Sequence, residues 1–393
     1  TLRHLHLFSC GLGDAFAKSA AAKLRCDRRL RRLAMEANTF TVDALRHLIG
    51  ALEVNKTLEC IEVTLTGLHA QEADSSLLDV VRKTNALPRL YINWMNPRSS
   101  DFLDYTLAAA TSSIYLDLVE RDAAEMAKSL VAIAKCRDIN MVQLKCATPL
   151  KPVVVQALID TLAMVTSINH LYMCVSLCDE DVVKLFGALE CNRTITFLNI
   201  GSITFRRRTA TALGRLVVNN RSIVFLSICI QEEDPEVDHT LQVRYVCRTL
   251  KEVVGRNRFL MALTVSLKSS KPSNDPVIKE ALSRNTMLVT QAIRFVDGSM
   301  DKADALAFDT LRPCQSVLLA LLVHNSRAEA TSKLAEARQR LSLNYFLFTS
   351  VVKANIVCNR NGKAKMRTMF DNIGRNMQAL ICSFLSLTDV LDA

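Results

Sequence analysis

The chain has 393 residues, half of them apolar and 22% charged, with a formal net charge of +10. This is enough apolar material for an extensive core, and the basic excess is too dispersed to demand a nucleic-acid partner. Thirteen cysteines without a CxxC pair read as reduced core thiols, not as a disulfide framework or a metal centre, and no apolar run nears the ~20 residues that cross a bilayer.

The chain opens on "TLRHLHLF", without an initiator Met and in the middle of a pattern, as a piece of a longer protein would. That pattern, Leu-x-x-Leu-x-Leu with other aliphatics allowed, recurs along the chain. It begins at Leu2, Leu30, Leu58 and Leu87, and a degenerate copy, "SIYLDL", begins at Ser113. Further copies begin at Ile139, Ile168, Ile195, Ile223 and Leu260, and an eleventh, "LVTQAI", begins at Leu288 with a polar Gln291 inside it. The starts lie 26 to 29 residues apart, except for one longer step that holds the polar stretch "QEEDPEVDH". Each copy reads as a short strand.

Between strands the apolar period lengthens to about 3.6, as in "VDALRHLIGALEVN" and "DVVKLFGALECN", which reads as helix. Most of these segments end in Asn, at Asn55, Asn85, Asn192, Asn257 and Asn285. Asn tolerates left-handed backbone, so a left-handed helix stop is expected at each. Asn55, Asn192 and Asn220 also start Asn-x-Ser/Thr triplets, the acceptor pattern for N-linked sugar. All three fall at one phase of the repeat, so the triplet follows from a helix stop that precedes a strand, with no sugar required.

A strand, loop, helix and turn that cannot bury their apolar faces alone form a stack. At this point the sequence resembles leucine-rich repeat proteins of the ribonuclease-inhibitor type, over residues 1 to 298. The matching residues are the apolar triplets and a ladder position eight residues after each first Leu, held by Cys10, Asn38, Thr66 and Ser176. The resemblance implies an α/β curved solenoid, with parallel strands on the concave face and helices outside. Residues 299 to 393 lose the strand pattern and read as a helical C-terminal cap.

Pleating sends the first, fourth and sixth strand positions inward and the third and fifth into the concavity. The outward set includes Tyr91, Tyr115, Met141, His170, Tyr172, Phe197 and Phe225, residue types that anchor protein interfaces. Two basic clusters, Arg28, Arg29, Arg31 and Arg32, and Arg206, Arg207 and Arg208, read as solvated rim or as docking points for an acidic partner. "ICSFLSLTDVL" at Ile381 resembles part of an F-box, which would place Leu380, Ile381, Phe384, Leu385 and Leu387 against a ubiquitin-ligase adaptor. The usual Leu-Pro start is absent from it.

There is no nucleophile elbow, zinc-protease motif or phosphate loop in the sequence. The expectation is therefore a non-enzymatic, cytoplasmic module without cofactor or metal, which binds a protein on its concave face. Receptors of the NLR type in innate immunity carry similar repeats, which makes ligand sensing or scaffolding the implied task. A substrate receptor of a ubiquitin ligase is the alternative. Inhibition of a ribonuclease fits poorly, because a +10 chain repels a basic target.

Overall fold

Ten strands form one parallel sheet in strict sequence order. They are β1 (His4–His6), β2 (Arg32–Phe40), β3 (Cys60–Thr66), β4 (Leu90–Met95), β5 (Thr111–Asp117), β6 (Met141–Pro149), β7 (His170–Ser176), β8 (Phe197–Gly201), β9 (Phe225–Ile230) and β10 (Ala262–Leu267). The structure, a computed structural model, describes residues 2–66, 89–95, 111–118, 122–134, 139–230, 238–267, 275–312, 314–349 and 374–387. The expected helix end at Asn85 and the polar stretch at 231–237 lie outside the described residues.

The described helices between strands are α1 (Asp14–Leu24), α2 (Val42–Val54), α3 (Ala123–Ala134), α4 (Pro152–Met164), α5 (Asp179–Cys191), α6 (Arg207–Asn219) and α7 (His239–Val253). Every second residue of β7 is buried, namely Leu171, Met173 and Val175. Leu33 and Met35 of β2 and Ile61 and Val63 of β3 pack with Leu45, Leu48 and Leu52 of α2 into one apolar cluster. Burying a Leu or Ile in this way contributes about 1.5–3 kcal/mol. The α/β stack of strand and helix read from the triplets is therefore the observed architecture.

The helix ends are built differently from the expectation. Asn55, Asn192, Asn220 and Asn257 have φ between −66° and −83°, in extended and not left-handed backbone. Their side chains do the work. Asn192 is 3% exposed; its Nδ2 donates to Leu162 O at 2.9 Å, and its Oδ1 accepts from the backbone N of Thr194 and Ile195 at 2.9 and 2.8 Å. Asn55 donates to Leu24 O and Asp27 O, and Asn220 to Leu189 O and Asn192 O. Each amide thus ties the end of one repeat to the end of the repeat before it.

Left-handed backbone occurs at the other end of the unit. Ser9, Ala37 and Ser202 have φ of 51°, 54° and 57°, and each sits seven residues after the first apolar residue of its strand motif. Next to Ala37, the ladder residue Asn38 is buried, accepting from Cys10 N and Leu12 N and donating to Leu7 O. The ladder role read for Asn38 is the observed one.

"LVTQAI" is not a strand. It lies within α8 (Pro276–Val296), a helix of 21 residues. Its buried residues Ile278, Ala281, Asn285, Val289, Ala292 and Phe295 recur every three or four positions, and that period overrides the weak triplet. Asn285 keeps its cross-repeat bond to Leu260 O, but sits in mid-helix.

The chain divides into two compact units, the first holding residues 1–220 with 226–250 and 264–273, the second 221–225 with 251–263 and 274–393. In the second unit, α8 is followed by α9 (Lys302–Leu311), α10 (Ser316–Leu321), α11 (Arg327–Leu343), α12 (Tyr345–Phe348) and α13 (Gly374–Ser383). Their core gathers Phe295, Phe308, Leu341, Tyr345 and Phe348. Arg340 stacks over the Phe295 ring at 5.2 Å and donates to Phe295 O and Val296 O at the C-terminal end of α8. No described helix is long and apolar enough to cross a membrane.

Candidate functional site

The face of the sheet turned away from the helices carries the residues singled out in the sequence. Strand register fixes which of them are neighbours. One row runs Ser113, Met141, His170, Phe197, and the next runs Tyr115, Gln143, Tyr172, Asn199. Adjacent members of a row are about 4.8 Å apart laterally. Phe197 stacks on His170 with ring centroids 5.6 Å apart and lies tilted against Tyr172 at 5.2 Å. These three and Met141 are half-buried, so each shows solvent a ring edge or a thioether while packing sideways on its neighbours. His170 Nδ1 lies 2.5 Å from Asn169 Oδ1, and burial pushes its imidazole toward the neutral form. A neutral ring suits an aromatic cluster.

Three members of the expected set fall elsewhere. Tyr115 does face outward, but beside Gln143 and not beside Met141. The strand motif of β5 begins at Thr111, two residues before Ser113, so Asp117 pairs with Lys145 beyond the two rows. A slip of two keeps every side chain on its face and changes only its row. Tyr91, 39% exposed, pairs with Glu62 of β3, and β5 begins only opposite Ile92. Tyr91 is therefore separated from the aromatic cluster. Phe225 on β9 is 36% exposed and belongs to the second unit.

In the first unit, strands β2 to β5 carry a polar cluster that no spacing announced. Arg32 donates to Glu62 Oε2 at 3.0 Å, and Asn93 Nδ2 bridges Glu36 Oε1 and Glu62 Oε1 at 3.2 and 3.3 Å. Ser113 Oγ bonds Asn93 Oδ1 in turn. Burial and the neighbouring Glu62 carboxylate raise Glu36 to about 7, while its partners hold Glu62 below the usual carboxylate range. The two carboxyl groups share a proton near neutral pH.

The arginine clusters are largely engaged within the chain. Arg31 pairs with Glu59 and Arg32 with Glu62, both at 3.0 Å, and Arg28 donates to Arg25 O and Asp27 O. Arg29 is exposed in the same turn. Arg206 pairs with Asp179 at 3.3 Å and Arg208 with Glu180 at 3.8 Å. Arg207 is exposed on the first turn of α6.

The F-box-like residues split between two environments. Leu380, Ile381 and Phe384 are 51%, 40% and 80% exposed, whereas Leu385 is half-buried and Leu387 buried in the helical core. Leu387 is held there by its N–H to Asp309 Oδ2 at 2.9 Å, and Tyr345 Oη donates to Ser386 O at 2.9 Å. The last part of the motif, 388–391, lies outside the described residues.

The three Asn-x-Ser/Thr triplets are closed in this fold. Asn55, Asn192 and Asn220 are at most 3% exposed, and every Nδ2 is committed to backbone carbonyls. Among the described residues, all eleven cysteines are free thiols.

Comparison with known proteins finds a weak structural likeness alone. No family model matches the sequence, and no curated protein matches it. Among solved structures, it is similar to the actin-binding site 2 of leiomodin-1, at 11% identity and a TM-score of 0.31 over 50% of this chain and 93% of that one. It is also similar to the C-terminal domain of a Caenorhabditis elegans tropomodulin, at 12% identity and a TM-score of 0.30 over 50% of this chain and 98% of that one. The parallel sheet in sequence order, with a helix between successive strands, is a leucine-rich-repeat-type fold.

Proposed function

We propose that this chain is a non-enzymatic protein-binding module that takes its partner on the helix-free face of the sheet. One observation carries the reading: His170, Tyr172 and Phe197 form a laterally packed, half-exposed aromatic cluster with Met141 beside it. Such side chains are pre-ordered by their neighbours, so little rotamer entropy is lost when a partner covers them. The sensing or scaffolding role of NLR-type arrays and a cytoplasmic location fit the same surface and the free thiols.

The test places a photo-crosslinking benzoylphenylalanine at position 197 of the full chain in cells. A discrete adduct is expected from this position, and it should be lost when Tyr172 is also changed to Ala. The same probe at Val153, 53% exposed on the helix layer, serves as control. Adducts from position 153 alone would sink the proposal.

The exposure of Leu380, Ile381 and Phe384 supports a second reading, adaptor docking through α13. That reading expects a cullin adaptor to co-purify with the chain and to be lost from a Leu380→Asp/Phe384→Asp variant. Retention by the variant would remove it.

A further inference from the structure

The helix layer of the first unit carries a groove of about 590 Å³ between α5 and α6, lined by Val183, Arg207, Arg208, Thr211, Ala212 and Arg215. We infer that this groove binds an acidic peptide segment of a partner protein, at a surface separate from the aromatic face of the sheet.

The charge distribution of the two helices is the starting point. The first turn of α5 carries Asp179, Glu180 and Asp181, which complement the positive end of its dipole. The first turn of α6 carries no acidic residue and starts with Arg207 and Arg208. Two cations at that end are unfavourable unless an anion offsets them. The offset that the chain supplies to the groove arginines is two long ion pairs. Arg208 approaches Glu180 at 3.8 Å, with both side chains more than 60% exposed, and Arg215 approaches Glu190 at 3.7 Å.

Hydrogen bonding sharpens the point. Among the described residues, the guanidinium groups of Arg207, Arg208 and Arg215 make no hydrogen bond to the protein. Elsewhere the chain uses arginine as a backbone donor: Arg89 reaches Leu52 O and Asn55 O, and Arg284 reaches Gly255 O and Asn257 O. The groove therefore presents three planar, five-donor forks that the described residues do not hydrogen-bond, Arg207 without an ion pair among them and Arg208 and Arg215 held only in long ones.

Spacing selects the ligand. Arg207, Thr211 and Arg215 follow one another at four-residue intervals, so they line one stripe of the helix. From Arg207 to Arg215 the stripe spans about 12 Å. One phosphate reaches one or two of these forks. Carboxylates on alternate residues of an extended strand lie about 6–7 Å apart and match Arg207 and Arg215 along the stripe by charge-assisted pairs, with Arg208 at its flank. Ala212, buried, and Val183, half-buried, give the floor an apolar strip for the side chain between them.

The experiment uses the full chain and a labelled peptide of three Glu-Asp-Glu-Leu repeats, read by fluorescence anisotropy at 50 and 200 mM salt. The expected results are saturable binding that weakens with salt and falls ten-fold or more in R207A/R208A/R215A. Arg207→Glu alone, at a fully surface position, should give the same direction and guards against a triple variant that does not fold. The variant Y172A/F197A should bind the peptide as the parent does, so failure of this inference and failure of the sheet-face reading are told apart. Equal binding by the arginine variants would overturn the inference. So would loss of peptide binding in Y172A/F197A, or tighter arginine-dependent binding of inorganic phosphate or an RNA oligomer than of the peptide.

Discussion

Changing Asn192 to Ala is expected to destabilise the first unit by about 3–5 kcal/mol, the largest single-residue effect foreseen here. The amide makes three good hydrogen bonds in a site that is 3% exposed. Its removal leaves Leu162 O, Thr194 N and Ile195 N without partners where water cannot replace them. Each stranded group costs about 1–3 kcal/mol. Asn192→Asp keeps the acceptor and loses the donor, so it separates the two halves of the interaction, although it also buries a charge. Thr166→Ala, an exposed residue in the turn of the repeat before, is the control and should shift stability by no more than about 0.5 kcal/mol. Urea unfolding followed by far-UV circular dichroism measures all three. A cost below about 1 kcal/mol for Asn192→Ala would show that the amide bonds are dispensable.

Stability should also fall as pH rises from about 4.5 to about 7, because of the shared proton between Glu36 and Glu62. Glu36 is raised to about 7 in the folded chain, so across that window the folded state holds a proton that the unfolded state has released. The state that binds more protons loses ground as pH increases. Glu62 is shifted the other way, and its stabilising contribution disappears only below its usual range, outside this window. Because Glu36 is partly solvated, the full linkage value is heavily screened, and about 1 kcal/mol is expected at pH 8. Glu36→Gln keeps a donor for Glu62 without the charge. The variant should melt higher than the parent at pH 8, by about 2 °C or more, and match it at pH 4.5. Parallel melting curves from pH 4.5 to 8 would rule out the shared proton.

The sequence made the repeat legible because three apolar positions with fixed spacing are forced by pleating and by one-sided burial. Ile195, Leu198 and Ile200 are buried as their phase requires, and Phe197 and Asn199 point away from the helices. The asparagines were legible as helix ends but not in their mechanism. Residue type shows that Asn tolerates left-handed backbone; it does not show an acceptor 30 residues earlier, such as Leu162 O for Asn192. "SIYLDL" was misplaced by two because Ile114, Leu116 and Leu118 satisfy the alternation in either frame. Thr111 follows Leu87 by only 24 residues, and the pairing of β4 with β5 shifts between Ile92 and Asn93. "LVTQAI" misled because a triplet alone has too few positions to distinguish period two from the helical period that Pro276 to Val296 sustains.

The polar cluster was invisible for a different reason. Glu36 and Asn93 stand at one repeat position, six residues after Leu30 and Leu87, but Glu62 stands two positions earlier in its repeat, so the three meet diagonally across three strands. Only the register brings them together. The same holds for the α6 groove, where the run of arginines was legible but the contribution of Arg215 and the floor from α5 was not.

Every one of the cross-repeat asparagine amides described donates backward along the chain: Asn55 to Leu24, Asn192 to Leu162, Asn220 to Leu189 and Asn285 to Leu260. During synthesis the acceptor carbonyl always leaves the ribosome first, by 25 to 31 residues. A newly emerged asparagine amide therefore finds its acceptor already made. The order of translation and the order of bonding run the same way, so the array can close behind the ribosome one repeat at a time.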